Sequence, residues 1–183
     1  MSLLNSEKNS CFTVGHSNYS VDKLMRLLER HAVNCLADIR SAPYSKYVPQ
    51  FNKDNISAEL KKRNILYVYL GDKLGGIYSD PDLLNADGTV DYARVRSRAE
   101  FKDGIEGVIR NIQKGLTIAL MCAEKDPLNC HRFRLVSPAL LEQGIEVIHI
   151  LESGETSGHR EMEEPVRQNE NKENEQLHLF GES

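Results

Sequence analysis

Tryptophan is absent from this 183-residue chain, and so is any apolar run long enough to span a membrane. The four cysteines, Cys11, Cys35, Cys122 and Cys130, include no CxxC pair. That spacing offers no ready disulfide framework, and Cys11 and Cys35 fall in apolar segments that read as small core residues of a reducing compartment. No secretory signal is expected, since Met1 to Ser10 is short and polar. A cytoplasmic protein with no membrane partner is expected. Charge is unevenly placed. Residues 152–183 hold nine Glu against three Lys or Arg, a net of −6, while the whole chain carries −4, which leaves +2 on residues 1–151. The predicted organisation is one α/β domain over 1–151 and an acidic, disordered tail over 152–183, whose first two dozen residues are too poor in large apolar groups to bury a core.

Within the domain, short apolar runs alternate with amphipathic stretches. Strands are predicted at Cys11–Val14, Val33–Ala37, Ile65–Leu70, from Leu116 to about Met121, and at Glu146–Leu151. Ser20 is placed to cap a helix reaching about His31, with Val21, Leu24, Leu27 and Leu28 on one face. Asn55 is placed to cap a second helix, ending at Arg63. A third helical stretch covers Asp91–Lys114 with a break near Ser97–Ala99, and Gly115 ends it. A last helix is expected from Cys130, capped by Asn129 and ended by Gly144. This order predicts a three-layer, Rossmann-like α/β domain around a mainly parallel sheet of about five strands.

The stretch LTIALMCAEKDPLNCHRFR, Leu116 to Arg134, reads as buried strand, polar loop and helix start, which is where ligands bind in an open parallel sheet. Cys122 and Glu124 close the strand; Cys130, His131 and Arg132 open the helix. A helix N-terminus beside Arg132 points to an anionic ligand. Cys122 is a candidate nucleophile, against the plainer reading of a buried thiol. Cys122, Cys130 and His131 are also zinc-ligand types, at irregular spacing, with a fourth ligand required from His16 or Asp38. Asp38 and Glu124 are alternative carboxylate ligands for magnesium; the plainer reading pairs Asp38 with Arg40 and Glu124 with Arg132. The cofactor is thus left open, with a divalent metal among the alternatives. The loop at 41–52 interleaves Tyr44, Ser45, Lys46, Tyr47 and Phe51, a mixture suited to stacking bases and touching phosphates, or to a plain lid.

Val14-Gly15-His16-Ser17, Asp38-Ile39-Arg40-Ser41-Ala42-Pro43-Tyr44-Ser45, Phe51-Asn52, Leu74-Gly75-Gly76, Cys122-Ala123-Glu124 and Cys130-His131-Arg132 occur in that order. As an ordered set they resemble the bacterial domain-of-unknown-function 488 family, over roughly Phe12 to Ile150. The resemblance implies a shared site architecture but names no reaction. Strand-end placement gathers His16, Asp38, Cys122, Glu124 and His131 as candidate catalytic groups. Ser17, Arg40, Tyr44, Ser45, Cys130 and Arg132 are candidate substrate-binding groups. An enzyme acting on a phosphate-bearing substrate, nucleic acid or nucleotide, is expected; the alternative is a non-catalytic module that binds the same class. Near the end of the tail, Gln176-Leu177-His178-Leu179-Phe180 looks like the peptide by which bacterial replication and repair proteins dock on the DNA polymerase sliding clamp. Gln176 is then the polar anchor, Leu179 and Phe180 enter an apolar pocket, and Leu177 is the third apolar residue of the motif.

Overall fold

The computed structural model describes residues 9–165 and residue 168. Strands β1 (Ser10–Gly15), β2 (Cys35–Asp38), β3 (Leu66–Tyr69), β4 (Ile118–Cys122), β5 (Glu146–Ile150) and β6 (Thr156–Gly158) form one sheet in the order β3-β2-β4-β1-β5-β6. All neighbours are parallel except β5 and β6. β4 lies at the centre, and all five of its residues are buried. Its side chains alternate between two cores, as strand geometry requires. Ile118, Leu120 and Cys122 enter one, and Ala119 and Met121 enter the other.

The helices fill both faces. On one face lie α1 (Val21–Arg30) and α2 (Lys53–Lys62), which contribute Leu24, Met25, Leu28, Ile56 and Leu60. The opposite face carries α3 (Gly71–Leu74), α4 (Tyr92–Ser97), α5 (Ala99–Gln113) and α6 (Ser137–Glu142), with Leu74, Val95, Ile105, Val108, Ile112 and Leu140. Ser20 caps α1 as its sequence position predicts, its side chain accepting from the Lys23 N–H at 3.2 Å. The break between α4 and α5 falls at Arg98, inside the expected window. Among the described residues, no helix is long and apolar enough to cross a membrane.

Two local expectations change. The second helix starts at Lys53 rather than after Asn55, and Asn52 precedes it with its side chain taken by the Ser45 N–H at 2.7 Å. The helix expected from Cys130 does not begin with an ordinary cap. Asp126 instead caps a short 3₁₀ turn at Pro127–Asn129, and a π-helical turn, Arg132–Val136, leads into α6.

The domain also runs past Leu151. β6 adds a sixth, antiparallel strand on β5, and residues 159–165 are helical. The physical reason is a buried polar chain that the acidic composition conceals. Thr13 Oγ1 and His149 Nδ1 lie 2.7 Å apart, His149 Nε2 and His159 Nδ1 lie 3.0 Å apart, and the His159 ring packs 4.1 Å from that of Phe133. Residues 152–165 therefore belong to the folded body, although their charge resembles that of the tail.

Candidate functional site

Connections from β1 and β2 leave through α1 and α2 on one face, whereas those from β3 and β4 leave through α5 and α6 on the other. β4 lies between β2 and β1. The chain therefore parts in opposite directions at the C-terminal end of β4, and this is the crevice where open α/β sheets hold their ligands. The N–H groups of His16 and Ser17 donate to the carbonyls of Cys122 and Ala123 at 3.0 and 2.9 Å, and the Ile39 N–H donates to Met121 at 3.1 Å. Three strand ends are thereby held together.

The polar side chains at this edge separate into two groups. In the first, Asp38 receives the Arg40 backbone N–H and Nε on Oδ1, at 3.1 and 2.8 Å. Its Oδ2 receives Arg40 Nη2 at 2.6 Å and the Tyr67 hydroxyl at 2.7 Å. A carboxylate has about four acceptor positions, so Asp38 has none left for magnesium. Arg40 also donates to the Phe51 carbonyl and to His16 Nε2, at 2.9 and 3.0 Å. The remaining His16 nitrogen, Nδ1, bonds the Ser17 carbonyl at 2.8 Å, and its ring stacks on Phe51 at 4.4 Å. Burial, helped by the neighbouring Arg40 charge, lowers the His16 pKa to about 4. His16 is therefore neutral, buried and fully partnered. The plainer expectation of an Asp38–Arg40 pair that fixes the loops describes this network.

In the second group, the Cys122 and Cys130 thiols reach the same oxygen, Glu124 Oε2, at 2.9 and 3.2 Å. His131 Nδ1 stands 3.6 Å from Cys122 Sγ and 3.8 Å from Cys130 Sγ. The other ring nitrogen, Nε2, lies 3.1 Å from the Ile39 carbonyl. Only a protonated Nε2 can donate there, and Nδ1 is the ring nitrogen that faces the two sulfurs. The sulfurs themselves are inequivalent. A hydrogen bond from Cys122 draws the Cys130 thiol down in spite of burial, with His131 and Arg132 assisting. The same bond, together with burial, pushes Cys122 up. Burial tends to raise the Glu124 carboxyl, but hydrogen bonds from Cys122, its own backbone and Cys130 bring it below its usual range. Both thiols are buried while Glu124 is exposed, so the cluster opens outward through its carboxylate.

Arg132 is 1% exposed and turns beneath this loop, donating to the carbonyls of Glu124 and Lys125 at 2.6 and 3.0 Å. It shapes the loop through the backbone and makes no ion pair with the Glu124 carboxylate among the described residues. Gly15 permits this packing, because a Cβ there would lie 1.9 Å from the Glu124 carbonyl oxygen. Gly76 has the same role beside His131, where a Cβ would come within 2.5 Å of the ring. Both glycines are needed for close approach.

Tyr44 and Ser45 stand apart from the cluster. Tyr44 is 57% exposed with its hydroxyl on Asp54 at 3.3 Å, and Tyr47 is 82% exposed with Lys46 Nζ 5.0 Å from its ring centre. Ser45 organises its own loop, accepting the Tyr47 N–H at 3.2 Å. Ser17, at φ 47°, holds a left-handed conformation beside the cluster rather than presenting its hydroxyl to it. Tyr67 and the Ile39 carbonyl are participants that sequence reasoning missed. Neither carries a motif, and only the pairing of β2 with β3 places Tyr67 against Asp38. Gln176, Leu177, Leu179 and Phe180 lie outside the described residues. A groove of about 500 Å³ between α4, α5 and α6, walled by Arg96, Phe101, Ile105 and Glu142, contains no thiol or imidazole and lies away from the strand ends.

Comparison with known proteins agrees with the ordered motifs. No curated protein and no solved structure matches the chain. A family described as domain of unknown function DUF488 matches residues 20–140, from the cap of α1 into α6 and across the whole Cys122–Arg132 segment. The chain therefore belongs to the DUF488 family.

Proposed function

We propose that this protein is a cytoplasmic enzyme that carries out hydrolytic or transfer chemistry on a phosphate-bearing substrate, a nucleotide or nucleic acid, at the end of β4. The observation that carries this reading is the convergence of two thiols, a carboxylate and an oriented imidazole at the crevice where the chain parts. Glu124, the exposed member, is placed to accept a proton from either sulfur, and His131 to exchange one through Nδ1. Arg40 and Arg132 support this centre from within rather than clamping the substrate. Phosphate contacts fall instead to Lys46 and Lys53, with Tyr44 and Tyr47 as stacking surfaces.

The test is a turnover screen. Labelled single- and double-stranded DNA and free nucleotides are incubated with the full chain in the presence of Mg²⁺, Mn²⁺ or Zn²⁺. Turnover that disappears in Glu124→Gln supports the enzyme. The second reading, a binding module, is favoured by the exposed Tyr44 and Tyr47, which can hold bases without any chemistry. Binding without turnover in every condition, lost in Tyr47→Ala, selects that reading and rejects the enzyme.

Recruitment to the DNA polymerase sliding clamp through Gln176, Leu177, Leu179 and Phe180 is the partner component of the proposal. A tethered five-residue anchor binds weakly, on the order of micromolar, yet raises the local concentration of the body on DNA. Fluorescence anisotropy of a peptide covering 170–183 against the clamp measures it. Equal binding by a peptide with Gln176, Leu179 and Phe180 changed to Ala rejects the anchor.

A further inference from the structure

We infer that Cys122, Cys130 and His131 form a zinc site, with Glu124 beside a fourth position that opens to solvent. The inference concerns the cluster proposed above as the reactive centre, and it stands whether or not the substrate carries a phosphate. The Sγ atoms of Cys122 and Cys130 and Nδ1 of His131 all lie within 4.8 Å of one another. Tetrahedral zinc with Zn–S near 2.3 Å and Zn–N near 2.05 Å requires a sulfur-to-nitrogen separation of about 3.6 Å. The two separations here are 3.6 and 3.8 Å. Each sulfur therefore already stands at coordination spacing from the imidazole nitrogen.

Three further features distinguish this cluster from a chance meeting of polar groups. The His131 ring is fixed as metal-binding histidines are, with its far nitrogen on the Ile39 carbonyl and its near nitrogen toward the sulfurs. Gly76 packs directly against the ring, where any side chain would collide with it. Glu124 already touches both sulfurs at 2.9 and 3.2 Å. Once the thiols give up their protons these hydrogen bonds are lost, and Glu124 withdraws from the sulfurs to stand beside the fourth position. It is the exposed member of the group and is free to do so.

The donor set selects the ion. Two sulfurs and an imidazole disfavour magnesium and calcium, which take oxygen ligands, and favour zinc. Neither His16 nor Asp38 completes the set, because Arg40 and its partners engage both. Binding makes two Zn–S bonds and one Zn–N bond, and each thiol releases its proton to solvent, with Glu124 as the outward relay. The sulfurs then act as ligands rather than nucleophiles. The ion would supply a Lewis acid that makes a water at the fourth position more acidic, and Glu124 would stand beside it to take the proton.

The experiment loads the metal-free full chain with Zn²⁺ against a chromophoric chelator, and separately with Co²⁺ as a spectroscopic stand-in. One zinc per chain is expected, along with a Co²⁺ spectrum that combines thiolate-to-metal charge transfer with the intense visible bands of tetrahedral cobalt. Cys130→Ser and His131→Ala should each weaken zinc binding at least tenfold, while Cys35→Ala, a buried thiol remote from the cluster, should leave it unchanged. Circular dichroism of each variant identifies any that fails to fold. Failure to bind zinc, weak octahedral cobalt bands in the unaltered protein, or equal affinity in a folded Cys130→Ser would each overturn the site. None of these readouts uses turnover, so loss of the metal site and loss of the phosphate-substrate reading remain separate outcomes.

Discussion

The Asp38 network and the Cys122 cluster lie at the ends of adjacent strands and draw on the same kinds of residue, yet they differ in saturation. Asp38 has four donors for four acceptor positions, and Arg40 places its backbone N–H and four guanidinium N–H groups on Asp38, Phe51 and His16. Every group there is answered by another part of the protein. At the end of β4, two thiols converge on one oxygen of a single exposed carboxylate, and an imidazole nitrogen stands 3.6 and 3.8 Å from their sulfurs. The closed set maintains the shape of the edge. The open set is where an outside atom can enter. Residue type alone does not tell the two apart; the count of satisfied partners does.

The largest effect should come from breaking the closed set. Asp38→Asn leaves the buried Arg40 guanidinium without its counter-charge and should cost about 3–5 kcal/mol, read as a shift in urea midpoint. A loss below about 1 kcal/mol would mean that the network is not what holds the edge. Next comes the contact between the two sets. Gly15→Ala places a methyl group on the Glu124 carbonyl and beside Arg132, and overpacking of that kind should cost about 3 kcal/mol. Full stability in this variant would show that the loop can move aside.

A third measurement addresses the buried chain of Thr13, His149 and His159. Burial, with His159 and Arg132 nearby, lowers His149 to about 3. A histidine in the unfolded chain gains its proton near 6.5, so the unfolded state is protonated first as the pH falls. Stability should be complete above about 6.5 and decline below it, by up to about 1.4 kcal/mol per pH unit for this residue. His149→Gln should flatten the profile, and an unchanged slope would remove His149 as its source. The smallest expected effect sharpens the comparison most. Glu124→Gln changes an exposed side chain of the open set and should alter stability by no more than about 0.5 kcal/mol, while metal affinity and any turnover fall. A variant as damaged as Asp38→Asn would erase the distinction.

The sheet was legible in the sequence because its strands are short apolar runs bounded by polar residues. The helices were legible where a cap and a stripe coincide, as with Ser20 and Leu24, Leu27 and Leu28. β6 was not legible, because Thr156-Ser157-Gly158 has neither alternation nor bulk and pairs only because β5 presents an edge to it. At the site, strand ends marked His16, Asp38, Arg40, Cys122 and Glu124 as neighbours. Their partition into two sets depends on side-chain direction. Arg40 and Arg132 look alike as exposed anion clamps in sequence, and both are buried because carbonyls and carboxylates of their own loops lie within reach.

The widened turn at Arg132–Val136 sets the angular phase of everything before it. A π turn accommodates one more residue than an α turn over the same span, and the Ser137 N–H accordingly reaches back five residues to the Arg132 carbonyl. Wound as ordinary α with no change in length, residues 132–136 would rotate Cys130 and His131 by about 100° relative to α6. α6 is anchored in the core by Ala139 and Leu140, so the rotation would fall on the cluster instead. Both side chains would turn away from Cys122 with no change in their identity. The extra residue taken up in one widened turn thus keeps the cluster assembled.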